Sequence, residues 1–298
     1  MGDAGQPSVW LRPKRIFIRL PICYDSTNRD GPMEGGRMGR GFPKGWIGKG
    51  FFLALLFFLG IGRSDSLGPT EEEIRSLQAS LQDRTTGERI AFWAEKFVGV
   101  PYDEDPRGIY VTEEKIVFDH KVDCMYLVFR SVELALSRTP EEAVAVALEK
   151  RFHGRGQLRP DGSVANYHER FQYGEDMILS GKWGRDITGQ VGPLSRIPGP
   201  RGKKSWQMIA TRDLMKGRFR CQTGDLIFFV VAPGSRKADE IIGHLGIIKV
   251  EKEGENARRY LIHASGVKGK GGVVKKVRLQ EYFREMPFIG ANLTRFEP

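Results

Sequence analysis

The apolar rhythm of this chain changes once, near residue 225, and that change constrains the fold more than any single motif. Upstream, apolar residues recur at helical spacing. Downstream they form short strand-like runs: Asp225–Val231 (DLIFFVV), His244–Val250 (HLGIIKV), Tyr260–His263 (YLIH) and Val273–Val277 (VVKKV). Gly-rich or charged turns separate these runs. A short helix is expected over Leu279–Glu285, with a last strand near Phe288. Helices first and then consecutive antiparallel strands predict an α+β fold. There is no internal repeat and no glycine pattern suited to a nucleotide.

The helical half has readable boundaries. Thr70 with Glu73 three residues on is a capping-box signature, and Ile74, Leu77 and Leu81 follow at helical spacing. A second helix is expected over Gly87–Phe97, stopped by Gly99 and Pro101. GVPY (99–102) then opens a loop to about Ile116. The third helix runs from about Asp123 to Leu136, with Cys124 in its first turn and an apolar stripe of Leu127, Val128, Val132 and Leu136. Thr139, Pro140, Glu141 and Glu142 start a fourth, ending near Lys150. Residues 152–222 are polar and rich in Gly and Arg. They read as a loop-rich insertion with one helix near Tyr167–Ser180, and such insertions are usually functional or mobile.

Residues 51–62 (FFLALLFFLGIG) form an apolar run too short for the roughly 20 residues of a spanning helix. Arg40, Lys44 and Lys49 precede it and Gly60, Gly62, Ser64 and Ser66 close it, which is the arrangement of a secretory signal. The expected organisation is a basic leader over 1–66, acting as signal peptide or N-terminal anchor, followed by one hydrolase domain over 67–298. A start at Met38 would give a signal of ordinary length. The protein is therefore expected in the periplasm or outside the cell, with a membrane tether through the leader as an alternative to release.

The formal charge is +10, of which +6 falls within residues 1–64 and +4 on the remaining 234 residues. The high isoelectric point thus owes much to the leader, and no basic stripe with interleaved aromatics points to nucleic acid. Lys268–Lys276 (KGKGGVVKK) reads as a solvated basic turn leading into a strand. Three cysteines, Cys23, Cys124 and Cys221, make no disulfide framework. Cys221 reads as a core or rim thiol.

A thiolate is the reactive form of cysteine, and an ordinary thiol has a pKa near ~8.5. A helix N-terminus favours the thiolate through its unpaired N–H groups and dipole. A histidine can take the proton and later deliver it to a leaving amine. Cys124 has the helix position, His244 could be the base, and His263 could orient His244 and fix its tautomer. Taken singly, each of these residues is more often structural than functional. A zinc site formed by Cys124, His244, His263 and His120 is a rival, weakened by the absence of paired CxxC or HExxH elements.

VDCMYLVF (122–129) resembles the cysteine segment of NlpC-type peptidoglycan cysteine hydrolases. GDLIFF, GHLGIIKV and LIHAS are similar to that family's later strands, in the same order, and GVPY to its segment ahead of the cysteine. The resemblance extends to the N-acetylmuramoyl-L-alanine amidase-like branch through RFQYGEDMI (170–178), although Gln172 and Met177 replace an expected His and Trp. Met125 and Tyr126 stand where that branch has threonines, and Phe129 where it has Glu.

What the resemblance implies is a papain-like fold, with the catalytic cysteine at a helix N-terminus packed on an antiparallel sheet. It implies hydrolysis of an amide in peptidoglycan or muropeptides, without a cofactor or metal. Cys124, His244 and His263 would be catalytic. Tyr102, Asp123, Arg170 and Tyr173 would line the substrate, with Asp123 also shaping the helix start. The amidase-like branch implies the N-acetylmuramoyl-L-alanine bond, and the wider family the D-glutamyl–diaminopimelate bond. A wall-binding protein with a degenerate site is the non-enzymatic alternative.

Overall fold

Residues 124–135 form a helix that is buried along its whole length, and the elements around it among the described residues cover it. The computed structural model describes residues 68–297 apart from 218, 237, 238, 254 and 255. The leader and its apolar run lie outside the described residues. No helix among the described residues is long and apolar enough to cross a membrane.

The helices are α1 (Glu71–Ser80), α2 (Thr86–Lys96), α3 (Ile109–Thr112), α4 (Cys124–Ala135), α5 (Pro140–Lys150), α6 (Gly174–Ser180), α7 (Thr188–Val191), α8 (Thr211–Met215) and α9 (Leu279–Glu285). The strands are β1 (Arg185–Asp186), β2 (Ser195–Ile197), β3 (Trp206–Ala210), β4 (Leu226–Val231), β5 (Ile242–Glu253), β6 (Asn256–Val267), β7 (Gly271–Arg278) and β8 (Phe288–Arg295). They form one antiparallel sheet in the order β2-β3-β8-β4-β5-β6-β7, with β1 also paired to β8. The expected mixture of helices and antiparallel strands is present.

The capping residues act as expected. Thr70 and Glu73 close a capping box, and Thr139 accepts from the Glu142 N–H with Pro140 at the first helical position. A second box, Thr85 with Glu88, starts α2. Alternation along β4 separates two apolar clusters. Leu226, Phe228 and Val230 pack with α2, α4 and α5, whereas Ile227 and Phe229 pack with α8 and α9. Gly224 precedes β4 at φ +87°, and a Cβ there would strike the Gly87 backbone. Asp225 next to it holds Arg295 through two bonds of 2.7 and 2.8 Å, tying the start of β4 to the end of β8.

The insertion contains more regular structure than its composition suggests. The helix expected over Tyr167–Ser180 divides into a short 3-10 turn at Tyr167–Glu169 and α6. Residues 185–215 add β1, β2, β3, α7 and α8, and extend the sheet beyond β8. Trp206 Nε1 donates to Asn292 Oδ1 at 2.7 Å, fastening this extension. Trp183 from the same segment packs its ring 4.6 Å from that of Phe129 on α4.

Burying α4 also buries its charged residues. Glu133 receives Arg151 through bonds of 2.5 and 2.6 Å, and the guanidinium lies over the rings of Tyr126 and Phe129. Both members are at most 1% exposed. Removing one member strands the other charge in a low dielectric. Arg151→Met should therefore cost about 3–5 kcal/mol, measured as a lower urea midpoint at unchanged slope. A loss below about 1 kcal/mol would show that Glu133 takes up a proton or reaches water instead.

Candidate active site

Asp123 caps α4, its Oδ1 accepting from the Tyr126 N–H at 2.8 Å, so Cys124 is the first residue of the helix. The preceding strand-like turn is pinned on two sides. Asp103 N–H donates to Val122 O, and Val122 N–H to Pro101 O. Tyr102 N–H donates to Gly272 O on β7 at 2.8 Å. The Tyr102 ring then covers Gly266 on β6, where any side chain would collide with it. The thiol is buried, and neither Cys124 nor Cys221 is in a disulfide. Cys221 is partly buried, matching the rim reading, and burial pushes its pKa up to about 11.

The structure brings His244 and His263 into direct contact, His244 Nε2 lying 2.9 Å from His263 Nδ1. His244 is paired opposite Phe229 on β4, which places it on the α9 side of the sheet. Phe229, Phe288 and Tyr282 surround its ring, and Tyr282 also lies 4.8 Å from the His263 ring. Both histidines are buried. His244 Nδ1 is likewise buried and has no hydrogen-bond partner among the described residues. Cys124 belongs to the cluster on the other side of β5 and β6, against which α4 packs. The two imidazoles are thus joined directly, and the thiol is joined to them through the strands.

Burial, and then the neighbouring His244, holds the pKa of His263 well below its ordinary value. A neutral His263 can accept at Nδ1. In that tautomer His244 carries its proton on Nε2 and keeps a lone pair on Nδ1, the form a general base requires.

Other expected site residues are dispersed. Arg170 lies 5.9 Å over the Tyr167 ring and donates to the Tyr167 carbonyl. Tyr173 begins α6 under the Arg201 guanidinium, 4.2 Å from it, and the adjacent Gly174 closes on Ile242, two residues before His244. His120, the fourth residue of the zinc alternative, is exposed and edge-on to Phe118. Among the described residues no group of three His, Cys, Asp or Glu side chains is placed to hold a metal ion.

Sequence reasoning missed Tyr110, Tyr282 and Lys268. The Tyr110 ring packs 4.8 Å from Tyr126 and beside the Asp123 carboxylate, and burial followed by that charge raises its pKa well above the ordinary phenol range. Nothing in a four-residue helix inside a loop signals it. Tyr282 read only as part of an amphipathic helix. The solvated-turn reading of Lys268–Lys276 needs correction. Lys268 directs a largely buried ammonium to Asp103 O, and Lys276 bonds to Glu95 and Glu251.

No protein-family model and no curated protein sequence matches the chain. Its fold is similar to the crystal structure of an N-acetylmuramoyl-L-alanine amidase from Bacteroides uniformis ATCC 8492, with TM-score 0.55 and 20% identity over 72% of this chain and 99% of that one. It is also similar to protein LPG0564 from Legionella pneumophila str. Philadelphia 1, of the DUF1460 family, with TM-score 0.55 and 16% identity over 76% and 94% of the two chains. What is shared is the mixed α/β architecture with its antiparallel sheet. The likeness is to amidase-named and DUF1460 structures rather than to NlpC in particular.

The depressed pKa of His263 has a consequence for stability. The unfolded chain binds a proton as pH falls below about 6.5, while the folded chain resists until a lower pH. The contribution is full above about 6.5 and is lost as pH falls through the depressed folded value. Between about pH 7 and pH 5 the melting temperature should fall more steeply than in His263→Gln. Parallel slopes in the two proteins would rule out a buried neutral His263.

Proposed function

We propose that the protein is a cysteine amidase that hydrolyses an amide bond in peptidoglycan or its fragments, the N-acetylmuramoyl-L-alanine bond being the favoured one. The observation that carries the reading is the direct bond between the two buried imidazoles, on the strands against which the Cys124 helix packs. Its likeness in fold to a structure named for that amidase activity agrees with it. The apolar run at residues 51–62 and its basic flank support export, with release or tethering outside the cytoplasmic membrane, where such a substrate lies.

In this reading His244 Nδ1 takes the proton of the Cys124 thiol, and the thiolate attacks the carbonyl carbon of the amide. First-turn N–H groups of α4 face the developing oxyanion. The imidazolium gives its proton to the departing amine as the C–N bond breaks, leaving a thioester that water hydrolyses with His244 again as base. His263 holds the tautomer throughout. His244 Nδ1 has no hydrogen-bond partner among the described residues, so the step requires substrate binding to bring the thiol within its reach. Tyr102 and Asp123 border the thiol, and Arg170 and Tyr173 from the insertion contact the substrate farther out.

Cys124→Ala should lower the hydrolysis of purified peptidoglycan by at least about a thousandfold while leaving the fold intact. Mass spectrometry of the products should show glycan stripped of whole peptide stems and stems with a new N-terminal alanine. Fragments cut within the stem would instead identify an endopeptidase with the same nucleophile. Full activity in Cys124→Ala would overturn the mechanism.

A further inference from the structure

Lys268 sits in the turn between β6 and β7, where sequence suggests a solvated charge, yet its side chain is only 9% exposed. Its Nζ donates to Asp103 O at 2.9 Å, lies 3.7 Å from Asp123 Oδ2 and stands 5.3 Å over the Tyr102 ring. All three contacts belong to the segments that set the start of α4. A long ammonium side chain loses rotamer freedom and hydration when buried, so this placement needs compensation. The carbonyl, the carboxylate and the aromatic face supply it.

The location gives this charge a chemical consequence. Asp123 caps α4 with a carboxylate adjacent in sequence to Cys124. A negative charge there stabilises the helix but opposes a thiolate at the same end. Lys268 is the cation paired with that carboxylate. The other ionisable groups around it are Asp103 and Glu104 from the loop after Tyr102, and Tyr110 from α3. The acidic groups and the phenol all disfavour a thiolate or leave it unaided. Lys268 also bridges the β6–β7 turn to the helix start, so β6, which carries His263, and the residue before Cys124 are held by one side chain.

We propose that Lys268 is a positioning residue for Cys124, its buried ammonium offsetting the Asp123 carboxylate and so favouring the Cys124 thiolate. This rests on the reading of Cys124 as nucleophile.

The test is the ultraviolet absorbance of the thiolate as a function of pH in the full chain, with the curve of Cys124→Ala subtracted to remove Cys23 and Cys221. Lys268→Met should move the Cys124 titration upward by about one pH unit, and Lys268→Arg should restore it. Lys268→Gln serves as a second neutral variant should the methionine protein fail to fold. Unmoved titration in the folded neutral variants, or an Arg variant shifted as far as Met, would overturn the proposal. The absorbance needs no substrate, so the two readings can fail separately. A shifted thiol in a protein without hydrolytic activity would sustain the role of Lys268 and defeat the amidase reading. Hydrolysis lost in Cys124→Ala beside an unmoved thiol in the neutral variants would defeat only Lys268.

Discussion

The structure depends on burying α4 completely. A helix with Arg130 and Glu133 among its twelve buried residues cannot enter a core until both charges are met. The loop before the helix supplies Asp119, which holds Arg130 Nε at 3.0 Å and also accepts from the Tyr126 hydroxyl. The chain after α5 supplies Arg151 for Glu133. Each partner comes from outside α4, so satisfying the helix fixes the segments at both of its ends. The first turn, where Cys124 lies, is therefore positioned by electrostatics deep in the protein and by the Asp123 cap.

The same network accounts for the residues that depart from the amidase-like pattern. Tyr126 spans from the helix to the Phe118 N–H, from which its hydroxyl accepts, and to the Asp119 carboxylate, to which it donates, with its ring under Arg151. Phe129 fills the space between Arg151 and Trp183. A threonine at 126 could not reach Asp119, and a Glu at 129 would face Trp183 rather than water. These side chains point into the interior, so their identity reflects how the helix is packed.

Much of this was legible in the sequence because the signals were local. Thr70, Thr139 and Asp123 each cap the helix that follows them, since one side-chain oxygen and a nearby N–H determine the outcome. The β4, β5 and β6 runs were clear because burial on both sheet faces demands unbroken apolar residues. The direct contact of His244 with His263 followed from two adjacent antiparallel strands, once their register is set. β2 and β3 were not legible. Five residues such as Trp206–Ala210 become a strand only because β8 presents an edge, and that edge lies eighty residues away in sequence. Lys268 was opaque for the same reason: composition marks a lysine in a glycine-rich turn as solvated, and only the fold places Asp103, Asp123 and Tyr102 around it.

The two sides of the sheet carry complementary electrostatics. On the α9 side, Phe229, Tyr282 and Phe288 exclude water from the imidazole pair, and the resulting desolvation keeps His263 neutral. On the α4 side, the thiol occupies a helix N-terminus with a carboxylate and an ammonium within a few ångströms of each other. The opposed environments follow from strand alternation alone: residues one apart on β4, β5 and β6 face different clusters. The sheet therefore keeps a charge-balanced helix start on one side and a water-excluded imidazole pair on the other.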